Sequence, residues 1–253
     1  MVLGTVASMG NLVCLICETA VLQKKAFDLS LFLQAPLNPL NVGNFSYKVY
    51  LTEKGLHLED KIDRVLRIDF VNDHLNYQRK GLRGKNELLA KALGFSKGVR
   101  KVLDLSAGLG IDAVFMTHLG FEVVALERAK LVYALLREAL TKAPDIQARL
   151  SLVNADAFEF LSSSQNSSDF DAIYFDPMYP HKKKSALPKQ EMVLFRDLVG
   201  NDEDAAQVLN EALKWSVKRV VVKRPTGAEA LLPGVRHSFE GKVVRYDIYM
   251  RSQ

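Results

Sequence analysis

The chain has 253 residues, enough for one large core or for a main domain with a smaller companion. Apolar residues make up 48% and charged residues 25%, a globular balance that excludes a disordered or collagen-like chain. A formal net charge of +5 suits a polyanionic partner, and no run of about 18 apolar residues is present to make a transmembrane helix.

The opening "MVLGTVASMG" has no basic n-region, and Glu18 interrupts the apolar stretch behind it. It reads as leader sequence or a tag remnant rather than a signal peptide. Residues 11 to about 75 read as short strands and turns: "NLVCLIC", "FSYKVYLTEKGLHLE" with a hairpin turn at Lys54-Gly55, then "VLRIDFV". The only cysteines, Cys14 and Cys17, lie in the first of these. Such a pair can mark a metal half-site or a redox couple. No second pair exists and the five histidines are scattered, so both cysteines read as core and no metal is expected. A chain without disulfides suits a reducing cytoplasm.

The pattern then changes. "NELLAKALG" is a short helix closing on Gly94. "RKVLDLS" is a strand, "GIDAVFMTHLG" a helix ending at Gly120, "FEVVALE" a strand and "AKLVYALLREALTKA" a helix. "RLSLVNAD", the turn "FEFL", the loop "SSSQNSSD" and the strand "FDAIYFDP" follow. "DEDAAQVLNEALKWS" is a helix with acids in its first turn, "KRVVVKRP" a strand, and "HSFEGKVVRYDIYM" a closing hairpin around Glu240-Gly241. This alternation predicts a Rossmann-like α/β fold: a doubly wound, mostly parallel sheet with an antiparallel C-terminal edge. A small N-terminal α/β subdomain, β-rich in pattern, is expected over residues 1–75, and the main domain over 76–253.

"LDLSAGLGIDA" follows a strand and opens a helix, so Gly108 and Gly110 let the backbone turn sharply against a ligand. Glu127 ends the next strand, 23 residues after Asp104, where a carboxylate accepts hydrogen bonds from ribose hydroxyls. A nucleoside-bearing cofactor is the reading. Ser106 replaces the first glycine of a dinucleotide loop, and Asp104 suits a cofactor with a positive amino group, such as S-adenosylmethionine. Asp156, after the third strand, is placed for an adenine amino group, with Ala157 lining the ring; it is equally placed to cap a helix.

"DPMYP" ends the fourth strand, at the carboxyl edge where open α/β sheets bind ligands. Asp176, Pro177 and Tyr179 are the candidate catalytic residues. The carboxylate accepts N–H bonds from an exocyclic base amine, the prolines stiffen the loop, and the ring stacks on a base. Lys182, Lys183 and Lys184, with Arg79, Lys80 and Arg83 and with Lys223 and Arg224, form basic groups suited to RNA phosphates. The residues alone reach an amino group on a ring. An adenine-N6 methyltransferase and a nicotinamide oxidoreductase remain open on this ground.

The blocks "IDFVNDHLNYQRKGLRGKNELLAKALG", "LDLSAGLGIDAV", "ALER", "FDPMYPHKKKSALPKQEM", "VVVKRP" and "RYDIY" resemble the RsmJ family of bacterial small-subunit rRNA guanine-N2 methyltransferases. The resemblance covers most of the chain from about residue 68 to 250. It implies a class I methyltransferase fold, S-adenosylmethionine as cofactor, and a guanine of 16S rRNA as substrate. Its cofactor contacts carry over to Ile111, Asp112, Glu127, Arg128, Asp156, Ala157 and Asp176. Ile111 departs from the polar residue expected there, which leaves a backbone contact.

Overall fold

Apolar runs between turn residues build two separate sheets in this computed structural model, which describes residues 12–72, 87–163, 169–178 and 190–250. The described chain divides into two units that interleave in sequence, where the pattern alone suggested one boundary near residue 75. One unit takes the residues up to Asp69, then Lys130–Ala139 and the segment ending at Gly200. The other takes the remainder.

The first unit holds the sheet β1 (Val13–Ile16), β2 (Tyr47–Thr52), β3 (Gly55–Asp60) and β4 (Val65–Leu66), in that order. β1 and β2 are parallel, which demands a crossover, and the helix Gln23–Leu33 supplies it. This helix is a correction to the strands-and-turns reading of the region. It buries Ala26, Leu29 and Leu33 but leaves Phe27 and Leu31 exposed, which blurs its period. The β2–β3 hairpin forms as expected, one residue earlier: Thr52 pairs with Gly55, so Glu53-Lys54 make the turn. "VLRIDFV" yields only the two-residue β4, and helix begins again at Phe70. Cys14 and Cys17 are free and buried. The helix Gln190–Val199, which sequence reading left unassigned, buries Leu194 and Phe195.

The second unit carries a seven-stranded sheet built from β5 (Lys101–Asp104), β6 (Glu122–Leu126), β7 (Leu150–Val153), β8 (Ala172–Phe175), β9 (Arg219–Pro225), β10 (His237–Glu240) and β11 (Val244–Tyr249). Their order is β10-β11-β9-β8-β5-β6-β7. β5 to β9 run parallel, and β11 pairs antiparallel with β9 and β10, giving the expected edge. Winding proceeds from β5 outward through β6 and β7, then restarts at β8 and proceeds the other way. The carboxyl ends of β5 and β8 therefore meet at a topological switch point, where such sheets open a crevice.

β8 is buried along its whole length, as a central parallel strand must be. Ile173 and Phe175 join Leu103, Val220, Val222 and Tyr249 in a core closed by Leu161, Val208, Leu209 and Trp215. The Trp215 indole donates to the Leu161 carbonyl at 3.1 Å, so its one polar atom is satisfied within that core. At the other end of the unit, Gly94 terminates the helix Leu88–Leu93 at φ 83°. Its missing side chain makes room for Arg219, whose buried guanidinium donates to the Ala92 carbonyl at 2.9 Å. A Cβ on Gly94 would lie 2.7 Å from the Arg219 Cζ.

Gly94→Ala should therefore destabilise the fold by about 2–4 kcal/mol, the sum of a left-handed alanine and a forced shift of a buried cation. Urea unfolding measures it. An unchanged midpoint would show that Arg219 gives way freely.

Candidate active site

Polar residues at or just past the ends of β5, β6, β7 and β8 tie the loops at the carboxyl edge of the sheet. Asp104 closes β5 and is buried; its Oδ1 accepts the Ser106 N–H at 2.9 Å. The loop then turns through Gly108 (φ 53°) and Gly110 (φ 76°), conformations that glycine adopts without strain. Ala107 N–H donates to the Leu126 carbonyl at 2.9 Å and Gly108 N–H to Glu127 Oε2 at 3.0 Å, so β6 fixes the loop. The other Glu127 oxygen accepts the Ala129 N–H at 2.7 Å. Asn154, at the end of β7, donates to the Glu127 carbonyl at 2.7 Å. Each Glu127 carboxylate oxygen has a further lone pair beyond these bonds.

Asp156 caps the helix Ala157–Ser163: its Oδ1 accepts from Phe158 N–H at 2.9 Å and Glu159 N–H at 3.1 Å. Ala157 is buried behind it, and Phe158 is partly exposed beside it. Ile111 is half exposed at the start of the helix Ile111–His118. Arg128 is held by three carboxylates: Asp202, Asp204 at 3.0 Å and Asp156 at 3.7 Å. The acids at 202 and 204 thus precede the helix Ala205–Ala212 and bind Arg128, where the sequence reading had them inside its first turn. Asp202 also accepts the Met178 N–H at 2.6 Å, tying the segment after β8 to the same cluster.

Asp176 follows β8 at the switch point. Its N–H donates to the Ser106 hydroxyl at 2.7 Å, joining the β5 and β8 loops. Its Oδ2 accepts the Lys223 ammonium at 2.9 Å, and that ammonium reaches Asp112 Oδ2 at 2.7 Å. The buried Tyr174 hydroxyl donates to the same Asp112 oxygen at 2.5 Å. Lys223, expected among the phosphate-binding cations, is thus paired with two carboxylates in the crevice. Arg224, from the same group, is buried and donates to the Glu229 carbonyl at 2.9 Å from Nε. Pro177 is buried next to Asp176. Tyr179, Lys182, Lys183, Lys184, Arg79, Lys80 and Arg83 lie outside the described residues.

Burial governs the charges. It raises the Asp104 carboxyl to about 8, with nearby Asp112 and Asp176 adding to the shift. It raises Glu127 to about 7, against the pull of the Ala129 and Gly108 N–H groups. It raises Asp176 to about 6, and the Lys223 ammonium keeps it from going higher. Burial alone would lower Lys223, but Asp112 and Asp176 more than offset that and leave it above the ordinary lysine value.

The residues fit S-adenosylmethionine. Asp104 Oδ2 is buried without a partner among the described residues, so a ligand is what would satisfy it. A cofactor ammonium near the crevice would favour the ionised carboxyls, Glu127 could accept from a ribose, and Asp156 and Ala157 could line an adenine edge. A glycine loop already held by a glutamate leaves little to reorganise on binding.

Two outcomes follow. Glu127→Ala should weaken S-adenosylmethionine binding by about 1.5–3 kcal/mol, read by calorimetry; unchanged affinity would remove Glu127 from the site. Asp104 has an ordinary value of 3.8 and a folded value of about 8, so the folded state holds the proton more tightly. That contribution is complete below the unfolded value and is lost as pH rises through the folded one. The stability of the wild type relative to Asp104→Asn should fall from about pH 4 to about pH 8 and then level off. A gap independent of pH in urea unfolding would contradict the buried proton.

A family model of SAM-dependent methyltransferases matches residues 37–251. The ribosomal RNA small subunit methyltransferase J of Bdellovibrio bacteriovorus is 55% identical over 95% of this chain and 96% of its own length. The protein of the same name from Pseudomonas fluorescens is 39% identical over 83% of this chain and 85% of its own. Among solved structures, a SAM-dependent methyltransferase from Neisseria gonorrhoeae superposes with a TM-score of 0.71 at 27% identity, covering 94% of this chain and 95% of that one. These likenesses remove the nicotinamide alternative and make S-adenosylmethionine the cofactor of the crevice. The chain belongs to the ribosomal RNA small subunit methyltransferase J family of S-adenosylmethionine-dependent methyltransferases.

Proposed function

We propose that the protein methylates the exocyclic N2 amine of a guanine in 16S rRNA. The observation that carries this reading is Asp176, its backbone N–H held by Ser106 and its carboxylate by Lys223, at the switch point of a fold shared with small-subunit rRNA methyltransferases. Among the described residues only Lys223 donates to it, so acceptor capacity remains for a substrate.

Bound S-adenosylmethionine supplies a methyl group on a positively charged sulfur. The chain supplies geometry and charge. An aromatic amine is a poor nucleophile because its lone pair is delocalised into the ring. Accepting its N–H bonds at Asp176 favours the arrangement that frees the lone pair, and holding the amine in line contributes much of the remaining acceleration. The carboxylate, kept charged by Lys223, is also placed to take the proton that the nitrogen sheds. Guanine offers two adjacent donors, N1–H and N2–H, which one carboxylate accepts together; adenine offers a donor beside an acceptor. That difference supports guanine over the adenine-N6 alternative. A base within structured RNA must be splayed out of its stack to reach such a pocket. The basic surplus of the chain supports an RNA partner, and rRNA as substrate supports action in the cytoplasm.

Incubating the enzyme with methyl-labelled cofactor and unmodified small subunits or free 16S rRNA, then separating the nucleosides, tests the reading. N2-methylguanosine is expected; N6-methyladenosine, or no labelled nucleoside from either substrate, would overturn it. Asp176→Asn should lower single-turnover transfer by about 10²–10³ with saturating cofactor and RNA, and change RNA affinity far less. A near-wild-type rate would reduce "DPMYP" to a structural turn.

A further inference from the structure

β9 runs apolar through Val220, Val221 and Val222 and then places Lys223 where the strand leaves the core. Phe175 pairs with Val222 in the parallel β8–β9 ladder, so the next residues, Asp176 and Lys223, emerge side by side. Across the sheet Lys223 pairs with Tyr246 of β11. The Lys223 ammonium donates to Asp176 Oδ2 at 2.9 Å and Asp112 Oδ2 at 2.7 Å, while Tyr174 holds that Asp112 oxygen at 2.5 Å from behind. An ammonium committed to two partly buried carboxylates cannot swing to an RNA phosphate without leaving both uncompensated.

We infer that Lys223 is a positioning residue of the methyl-transfer site: it holds the Asp176 carboxylate ionised and in one orientation, with Asp112 and Tyr174 anchoring the ammonium. The consequence for catalysis rests on the reading of Asp176 as the amine's acceptor. Among the described residues the ionisable groups around Asp176 are Asp104 at the end of β5, Asp112 on the helix Ile111–His118, Tyr174 on β8, Lys223 on β9, Tyr246 on β11 and Asp202 ahead of the helix Ala205–Ala212. In that set Asp112 and Asp202 favour a protonated Asp176, while Asp104 is itself neutral where Asp176 titrates. Lys223 is the one cation in it, and its loss leaves the proton on Asp176 to higher pH.

Two readouts test this. The first needs no substrate: carboxyl carbon NMR of aspartate-labelled protein, with the Asp176 signal assigned by its absence in Asp176→Asn. In Lys223→Met the Asp176 titration should move up by at least about one pH unit, and in Lys223→Arg it should stay near the wild-type position. Asp112→Asn should move it the other way, because a like charge is lost, and this variant carries the test if Lys223→Met does not fold. An unmoved titration in Lys223→Met, or in Asp112→Asn where Lys223→Met does not fold, would overturn the inference. The second readout is single-turnover methyl transfer against pH. The acid limb of Lys223→Met should shift with the NMR titration, giving about a tenfold loss below the limb and recovery above it. An equal loss at every pH would make Lys223 merely structural. A moved titration with an unmoved limb would instead sink the acceptor role of Asp176 and leave the charge-setting role of Lys223 standing.

Discussion

One ammonium shared by two carboxylates at the switch point is the constraint on which the rest of the site depends. Lys223 sits between Asp112 and Asp176, and removing the ammonium leaves two carboxylates with poor access to water. Breaking pairs of this kind costs about 3–5 kcal/mol when they are buried, less here because each side chain keeps some exposure. The three residues come from a helix start, the end of β8 and the end of β9, so the cluster fixes how three elements meet. It also leaves two negative charges against one positive. A crevice of that sign suits a methyl donor whose reactive sulfur is a cation, and suits the neutral thioether product less well.

The backbone around this cluster is tied in the same style. Glu127 bridges two loop N–H groups, Ser106 holds Asp176, and Arg128 gathers Asp156, Asp202 and Asp204. Through Asp202 the Met178 N–H is fixed as well, which constrains the segment that follows Asp176. A site assembled from strand ends and cross-loop side chains needs little rearrangement on ligand binding. A reaction that asks mainly for alignment and a poised acceptor gains from such preorganisation.

The sheet was legible because parallel strands buried on both faces read as unbroken apolar runs ending in an acid or a turn, as in "KVLD", "EVVALE" and "AIYFD". Glu127, Asp156 and Asp176 were legible for the same reason: a carboxylate that ends such a run lies at the crevice. The helix Gln23–Leu33 was not, since exposed Phe27 and Leu31 spoil its stripe. The partners of Lys223 and Arg224 were not legible, because adjacent cations before a proline look like surface. Asp176 and Asp112, the partners of Lys223, lie 47 and 111 residues away, and no local pattern announces them. Asp202 and Asp204 looked like helix-start acids until their partner Arg128 was seen, 74 and 76 residues distant.

The central claim is that this crevice delivers a methyl group to a guanine amine of small-subunit rRNA. Mass spectrometry of nucleosides from small-subunit rRNA of cells with and without the protein tests it most directly. A loss of N2-methylguanosine is expected in its absence, restored by the wild-type chain and not by Asp176→Asn. An unchanged N2-methylguanosine content, or the loss of a methylated adenosine instead, would contradict it.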